Sequence, residues 1–363
     1  MNLKTLAKDF FKTKKIEEGL PKKKTKKFNF VLYTSITSLL IATVGGINWL
    51  VDPLWYSHGN ILTGQNFAFN ERISKTNLFF RTKEQNNYNC LILGSSRVIT
   101  LRASQFTEDR CYNYSIKGGE IEEFIQYARS LQEHGFKPRK VYIGVDGLNF
   151  VVKERQPIEP FDLKSLQTQS PLHAYLSVDV LTFSIMTLLG ISPDPGNYYD
   201  HNFEAADFAN YPAEQPGFYK PQEPQQCDFK IVDLFADLKT FFPNAEFIGF
   251  VPPRSAWSIV NDTYGRKLTK ECELPVFYQL AQEYGVMYDF SIPSAVTKNV
   301  KNSFDGSHYS VKINDEMAKI MEGKSNSFGI RVDQYTYAEY RQIYLDAIKQ
   351  FLQENNQMQR WHG

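Results

Sequence analysis

Two short segments contain residues whose types and spacing suit nucleophilic acyl transfer. The segment "LILGSSR" places Ser96 after an apolar run and a glycine, and the segment "DGSH" places Asp305 three residues before His308. A serine hydroxyl is a weak nucleophile unless a base removes its proton and a third group orients that base. An aspartate at this separation in a turn holds one imidazole N–H and leaves the other nitrogen free as the base. The segments therefore predict a Ser-His-Asp arrangement, provided that the fold brings them together.

Each segment also has a structural interpretation without chemistry. Two hydroxyls after a glycine are common in turns, because serine side chains bond free backbone groups nearby. Of the six histidines, however, only His308 follows the last predicted strand by a short connection and begins a helical pattern. The positions of the secondary-structure elements decide between the two interpretations.

Short apolar runs alternate with helical patterns from residue 90 onwards. Predicted strands cover residues 90–93, 111–115, 140–145, 245–251 and 286–290, and predicted helices lie near 120–134, 230–241 and 272–284. This alternation predicts an α/β fold, a flavodoxin-like doubly wound parallel sheet with helices on both faces. In such a sheet ligands bind beyond the carboxyl ends of the strands, and Ser96 follows the first of them.

The order and placement of these segments resemble the SGNH/GDSL hydrolase family. "LILGSSR" is similar to the nucleophile block, "YNYSIKGG" to the block with the oxyanion glycine, and "DGSH" to the D-x-x-H block. The resemblance covers roughly residues 88–323 without the long insertion. It implies Ser96 as nucleophile, Asp305 and His308 as the other triad members, and the N–H groups of Ser96 and Gly118 as oxyanion donors.

One block departs from the family pattern. The family has G-x-N-D after the third strand, with the asparagine donating to the oxyanion, whereas this chain reads "IGVDGLNF" and has Asp146 in the asparagine place. An ionised carboxylate there would repel a developing oxyanion. Asn149 from a shifted loop is one substitute donor, and the backbone N–H groups alone are the alternative.

Two arginines are candidate contacts for an anionic substrate. Arg97 directly follows the candidate nucleophile, and Arg254 lies in "FVPPRS" at the end of the fourth predicted strand. For both, a surface or packing role is the alternative.

The N-terminal region predicts a membrane anchor. Residues 1–27 contain ten lysines and three acidic residues, a net charge of +7, so the rest of the chain carries −6. An acidic bulk argues against nucleic acid as a partner, because phosphate binding needs a basic surface. Residues 28–51 carry no charge over 24 positions, enough to span a bilayer. We expect the lysines in the cytoplasm and the chain after about Asp52 outside it, in the periplasm or at the cell surface.

These patterns divide the chain into five parts, which are a basic segment at 1–27, a transmembrane helix at 28–51, a connecting segment at 52–87, an SGNH-like domain at 88–330 and a C-terminal helix at 331–363. The domain contains an insertion at 150–226 that is rich in proline and aromatic residues. Its rings either fasten the insertion to the domain or stack on a sugar. A helix is predicted within it near residues 176–189.

The four cysteines, Cys90, Cys111, Cys227 and Cys272, lack C-x-x-C spacing, so we expect no structural zinc site. In an oxidising compartment they form disulfides in one of three pairings, and buried free thiols are the alternative.

The resemblance implies a serine esterase or acyltransferase that acts on O-acyl groups of a cell-envelope glycan through an acyl-enzyme. It implies no metal or organic cofactor, and a membrane-embedded acyl-transfer partner is a further expectation. Two alternatives stay open. One is a catalytically silent scaffold, suggested by Asp146, and the other is a carbohydrate-binding component that uses the aromatic insertion.

Overall fold

The computed structural model describes residues 22–146, 150–152, 163, 170–192, 198–206, 216–220, 223–264 and 267–362. Within these residues the helices are α1 (Lys22–Val51), α2 (Glu71–Asn86), α3 (Ile121–Glu133), α4 (Pro171–Tyr175), α5 (Val178–Leu188), α6 (Ile231–Phe241), α7 (Ala256–Tyr264), α8 (Leu274–Tyr284), α9 (Val311–Met321) and α10 (Tyr337–Glu354). The strands are β1 (Asn66–Phe67), β2 (Cys90–Leu93), β3 (Cys111–Asn113), β4 (Lys140–Gly144), β5 (Tyr198–Tyr199), β6 (Glu246–Val251), β7 (Met287–Asp289) and β8 (Ile330–Arg331).

Six strands form one mostly parallel sheet in the order β3-β2-β4-β6-β7-β8. The first five are mutually parallel, and β8 pairs antiparallel to β7 at one edge. The five strands expected from the sequence are all present, which confirms a mixed α/β chain with a mostly parallel sheet. The order of the parallel strands reverses between β2 and β4, and such a switch point opens a crevice beyond their carboxyl ends.

Both faces of the sheet are buried. Leu91 and Leu93 contribute to one core with residues of α3, α6 and α8, while Cys90 and Ile92 contribute to a second core with residues of α9. Alternate residues of a strand point to opposite faces, and all four side chains are fully buried because both faces are covered. Strand β2 is therefore held from both sides and fixes the position of the turn that follows it.

The turn after β2 packs closely on β4 through Val98. A Cβ on Gly94 would lie 2.5 Å from Val98 Cγ2, and a Cβ on Gly144 would lie 2.4 Å from the same atom. Glycine at these two positions lets the valine side chain fill the space beside both strands. The turn is thereby fixed against the carboxyl end of the neighbouring strand.

The cysteines form two disulfides, which selects one of the three pairings. Cys90 and Cys111 join the adjacent strands β2 and β3, with Cα atoms 4.2 Å apart. Cys227 and Cys272 join the end of the insertion to the π-helical turn that precedes α8.

Helix α1 is long and apolar enough to cross a membrane. Its apolar part, Phe28–Val51, has 24 residues and includes an 18-residue stretch with a mean hydropathy of 1.8, none of which is buried by the rest of the described chain. The sequence expectation of one N-terminal apolar helix is confirmed in length and composition.

Candidate active site

The fold brings Ser96, His308 and Asp305 together. The Ser96 Oγ and His308 Nε2 atoms are 2.8 Å apart, and His308 Nδ1 lies 2.6 Å from Asp305 Oδ2. Both separations are within hydrogen-bonding distance. The three side chains form one continuous chain of hydrogen bonds although Ser96 lies 212 positions from His308 in the sequence.

The ionisation of Asp305 sets the imidazole tautomer. Partial burial alone would raise the pKa of Asp305. The hydrogen bond to the His308 ring, the attraction to that ring when it is protonated, and the N–H groups of His308 and Ser307 together lower it to about 2. An ionised carboxylate only accepts hydrogen bonds, so the proton of the neutral ring is on Nδ1. His308 Nε2 is then the acceptor for the Ser96 hydroxyl, as a general base requires.

The histidine is held by a short closed loop. Ser303 and Tyr309 form an antiparallel bridge that closes the loop, and the His308 N–H donates to Asp305 Oδ1 at 2.8 Å. The Phe304 ring stacks on the imidazole with centroids 5.1 Å apart and planes 13° apart. These contacts fix both the backbone and the ring plane of His308. The sequence did not indicate Phe304 as the stacking partner, because the relative orientation of two rings depends on the folded loop.

Ser96 is the accessible residue of its segment. Its side chain is half-buried, whereas the neighbouring residues from Cys90 to Leu101 are buried. The turn is tied to the end of β3, because Asn113 Nδ2 donates to the Val98 and Leu101 carbonyls at 3.1 and 2.6 Å. The Ser96 hydroxyl is thus presented at the sheet edge by a fixed backbone.

Two backbone N–H groups are free to bind an oxyanion. The N–H groups of Ser96 and Gly118 donate to no residue that the structure describes. The loop of Gly118 lies beside the turn that carries Ser96, because the Ile116 N–H donates to the Gly94 carbonyl at 3.0 Å. Gly118 has a φ of +63°, in the left-handed region that favours glycine. Asn149, the other expected donor, lies outside the described residues.

A buried lysine supports the Gly118 loop, and the sequence did not single it out. Lys75 on α2 is 1% exposed, and its Nζ donates to the Ser115 carbonyl. Burial is the main cause that lowers the pKa of Lys75, to about 8. Glu71, one turn earlier, accepts from the Lys117 N–H at 2.7 Å and from the Tyr199 hydroxyl at 3.0 Å. Helix α2 and the insertion therefore shape the loop together.

Arg97 and Asp146 form a buried ion pair behind the serine. Arg97 Nη1 lies 3.0 Å from Asp146 Oδ1, and the side chains are 5% and 7% exposed. The other carboxylate oxygen accepts from the Ser95 hydroxyl at 2.9 Å. The Asp146 carboxylate is thus bonded to the protein and neutralised by the guanidinium.

The Arg97 guanidinium also joins two other segments of the site. Its Nη2 donates to the carbonyls of Pro252 and Pro253 at 2.7 and 2.9 Å, after β6. Its Nε donates to the Ser307 carbonyl at 3.3 Å, in the loop of His308. This geometry favours a positioning role for Arg97. Its contact with an anionic substrate stays a prediction.

Arg254 is similarly engaged inside the protein. Its Nη1 donates to Asp262 at 2.8 Å, and its Nη2 donates to Glu273 at 2.7 Å. The side chain is 11% exposed, and both carboxylates are more deeply buried. Its geometry also favours a structural role, since the cation is already matched by two acids.

A cleft of about 370 Å³ lies at the β3 edge, and Ser96, Asp305 and His308 are not among its lining residues. Ser104 and Glu204 form part of its wall, together with Tyr112 and Asn202. The Ser104 hydroxyl donates to the Glu204 carboxylate at 3.0 Å. Burial raises the pKa of Glu204 to about 7, so this carboxyl titrates near neutrality.

Comparison of the chain with models of protein families, with curated proteins and with solved structures finds no match. Among the residues that the structure describes, no group of three or more His, Cys, Asp or Glu side chains is placed to hold a metal ion.

Proposed function

We propose that the chain is a membrane-anchored serine esterase or acyltransferase of the SGNH type, which acts on O-acyl groups of a cell-envelope glycan. The observation that carries the proposal is the continuous hydrogen-bond chain from Ser96 through His308 to Asp305, with distances of 2.8 and 2.6 Å. Two free backbone N–H groups beside the serine supply the second requirement of acyl transfer, since they stabilise negative charge on the acyl oxygen.

The first half of the reaction transfers the acyl group to Ser96. His308 Nε2 takes the hydroxyl proton while Oγ forms a bond to the acyl carbon, and the carbonyl π electrons move to oxygen. The Ser96 and Gly118 N–H groups bind this oxyanion. The tetrahedral species then expels the alcohol, which receives the proton from His308. Asp305 remains ionised throughout and stabilises the imidazolium.

The second half repeats the steps with a new acceptor. Water or a sugar hydroxyl gives its proton to His308 and attacks the acyl carbon, and Ser96 leaves with that proton. Water as acceptor makes the chain an esterase, and a glycan hydroxyl makes it an acyltransferase. In the second case a membrane-embedded partner would supply the acyl group.

Two features support a location outside the cytoplasm. The described chain contains two disulfides, and disulfides persist mainly in oxidising compartments. The lysine-rich residues 1–27 precede the apolar helix, and such clusters stay on the cytoplasmic side of membranes. The glycan as substrate comes from the family resemblance, which the envelope location fits.

A fluorophosphonate probe tests the nucleophile. The full-length native chain in detergent should be labelled, and Ser96→Ala should abolish the labelling. Ser95→Ala is the matched control, because the adjacent hydroxyl bonds Asp146 and is not aligned with His308. Labelling that survives in Ser96→Ala, or disappears equally in a folded Ser95→Ala variant, would contradict the assignment.

The silent scaffold is the second candidate, and Asp146 favours it. Its carboxylate offers no donor to an oxyanion, so stabilisation depends on backbone groups. Complete lack of labelling in well-folded native protein would support the scaffold. Asp305→Asn adds a second criterion for the enzyme. If Asp305 only orients His308, this variant should react more slowly with the probe but reach the same final amount of labelled Ser96.

A further inference from the structure

Helices α4 and α5 expose an apolar surface. Residues 170–192, called the α4–α5 hairpin below, contain one acidic residue, Asp179, and no lysine or arginine. Helix α5 buries Val180, Ser184 and Thr187, whereas Val178, Ile185 and Leu188 are exposed. The outer face of a helix in water carries mainly polar side chains instead. The exposed apolar side chains of the hairpin are Leu172, Leu176, Val178, Ile185, Leu188, Leu189 and Ile191.

The hairpin packs on the C-terminal part of α1, at Gly45 and Asn48. A Cβ on Gly45 would lie 3.3 Å from Leu176 Cδ2, so the helix and the hairpin approach closely there. Asn48 is completely buried, and its Nδ2 donates to the Tyr175 and Ser177 carbonyls at 2.7 and 3.0 Å.

The same asparagine also accepts from the Ser184 hydroxyl at 2.9 Å. Both polar atoms of its side chain are therefore bonded within the protein. This is what a polar residue needs when lipid surrounds it, because hydrocarbon offers no hydrogen-bond partner.

The length of α1 sets the depth of the hairpin. The side chains at positions 28–43 are exposed, and coverage of the helix begins at Val44. Sixteen exposed residues span about 24 Å at 1.5 Å per residue. A bilayer has a hydrocarbon core of about 30 Å, so the exposed part of α1 is too short to cross it alone. The covered segment, from Val44 to about Asn48, must complete the crossing, and the hairpin that covers it then lies in the same leaflet.

We propose that the α4–α5 hairpin is embedded in the leaflet of the lipid bilayer that faces the catalytic domain. The inference rests on the membrane anchoring proposed above. The exposed leucine and isoleucine side chains contact acyl chains, while Asp179 at the first turn of α5 lies at the headgroup level. Two membrane contacts, α1 and the hairpin, hold the domain in a fixed orientation, which presents the Ser96 site to substrates attached to or assembled at the membrane.

Site-specific lipid quenching of the full-length chain tests this proposal. All four cysteines are in disulfides, so a single introduced cysteine gives a unique labelling site. Leu189→Cys and Val178→Cys report on the hairpin, at side chains that are 67% and 70% exposed. Ile36→Cys in the middle of α1 is the membrane control, and Gln350→Cys on α10 is the aqueous control. Each variant carries an environment-sensitive fluorophore and is reconstituted in vesicles of phosphatidylcholine and phosphatidylglycerol.

The expected result is a blue-shifted emission and loss of fluorescence with nitroxide-labelled phosphatidylcholine at Leu189, Val178 and Ile36, and neither change at Gln350. Quenching at Ile36 with none at the two hairpin positions would overturn the inference and leave the anchor intact. No quenching at Ile36 would instead refute the membrane anchoring itself. A hairpin label that is shielded from both lipid nitroxide and aqueous iodide would show that protein, such as a second copy of the chain, covers it, and this also overturns the inference.

Discussion

Replacing Asp146 by asparagine separates two explanations of the unusual residue after β4. In the structure the Asp146 side chain is 7% exposed and balances the buried Arg97 guanidinium at 3.0 Å. Asparagine keeps an acceptor for Arg97, and its amide N–H can donate to the Ser95 hydroxyl, so the hydrogen bonds survive. What is lost is the negative charge, which leaves an uncompensated buried cation.

The expected loss of stability follows from this geometry. Breaking a buried ion pair costs about 3 to 5 kcal/mol, and the retained hydrogen bonds place Asp146→Asn near the lower value of about 3 kcal/mol. With an unfolding entropy of about 2.1 cal/mol/K per residue, a chain of 363 residues should then melt about 4 °C lower. Thermal unfolding of the full-length protein in detergent measures it. Fluorophosphonate labelling per folded molecule should also slow, since Arg97 holds the Ser307 carbonyl beside His308.

Asp262→Asn is the matched control. Asp262 is also a buried partner of an arginine, at 2.8 Å, but Arg254 keeps Glu273 as a second carboxylate. The control should therefore lose less stability than Asp146→Asn and label at the native rate. If Asp146→Asn leaves the melting temperature unchanged and raises turnover, the carboxylate faces the reacting oxyanion, and our account of the Arg97 pair is refuted.

Three further predictions concern the triad, a titrating carboxyl and a disulfide. Ser96→Ala and His308→Ala should each remove most ester turnover, and the double variant should lose little more, because residues that act as a unit are non-additive. Burial raises the pKa of Glu204 to about 7, so between about pH 4.3 and 7 the folded protein keeps a proton on this carboxyl that the unfolded chain has lost. The free energy of unfolding should therefore fall by up to about 3 kcal/mol as the pH rises through this range. Urea unfolding at stepped pH measures this fall, and Glu204→Gln should lack it. Replacing both Cys227 and Cys272, which are separated by 45 positions, by serine should lower the free energy of unfolding in urea by about 4 kcal/mol.

The parallel strands were predictable because each is a short apolar run that ends in a turn signal. Strand β2 has the expected bounds, 90–93, and its four residues are buried on both faces as such a run indicates. The predicted strand at 111–115 is shorter in the structure, Cys111–Asn113, because Asn113 Oδ1 accepts from the Ser115 N–H and hydroxyl at 2.9 and 2.5 Å. Strand β8 was not predicted, since two residues carry no measurable alternation.

The contacts of the triad were predictable in part from local spacing. Asp305 and His308 are three residues apart, so their contact requires only a turn, and the position of Ser96 follows from the strand that precedes it. The disulfide pairing was not predictable, because four cysteines allow three pairings and the choice depends on strand order. The roles of Phe304 and Lys75 were also not predictable from the sequence, since stacking and burial depend on tertiary contacts.

Arg97 and Asp146 show why two unusual residues have to be interpreted together. In the sequence Arg97 is a cation beside the nucleophile, and Asp146 is an anion where a donor belongs, so each suggests its own effect on the substrate. They are 49 positions apart, and only the parallel pairing of β2 with β4 brings them within 3.0 Å. Once paired, each charge balances the other, which favours a positioning role for both residues over a direct effect on the substrate. In the proposed reaction the oxyanion is therefore stabilised by the N–H groups of Ser96 and Gly118, and we expect the rate to depend on how firmly their two loops are held.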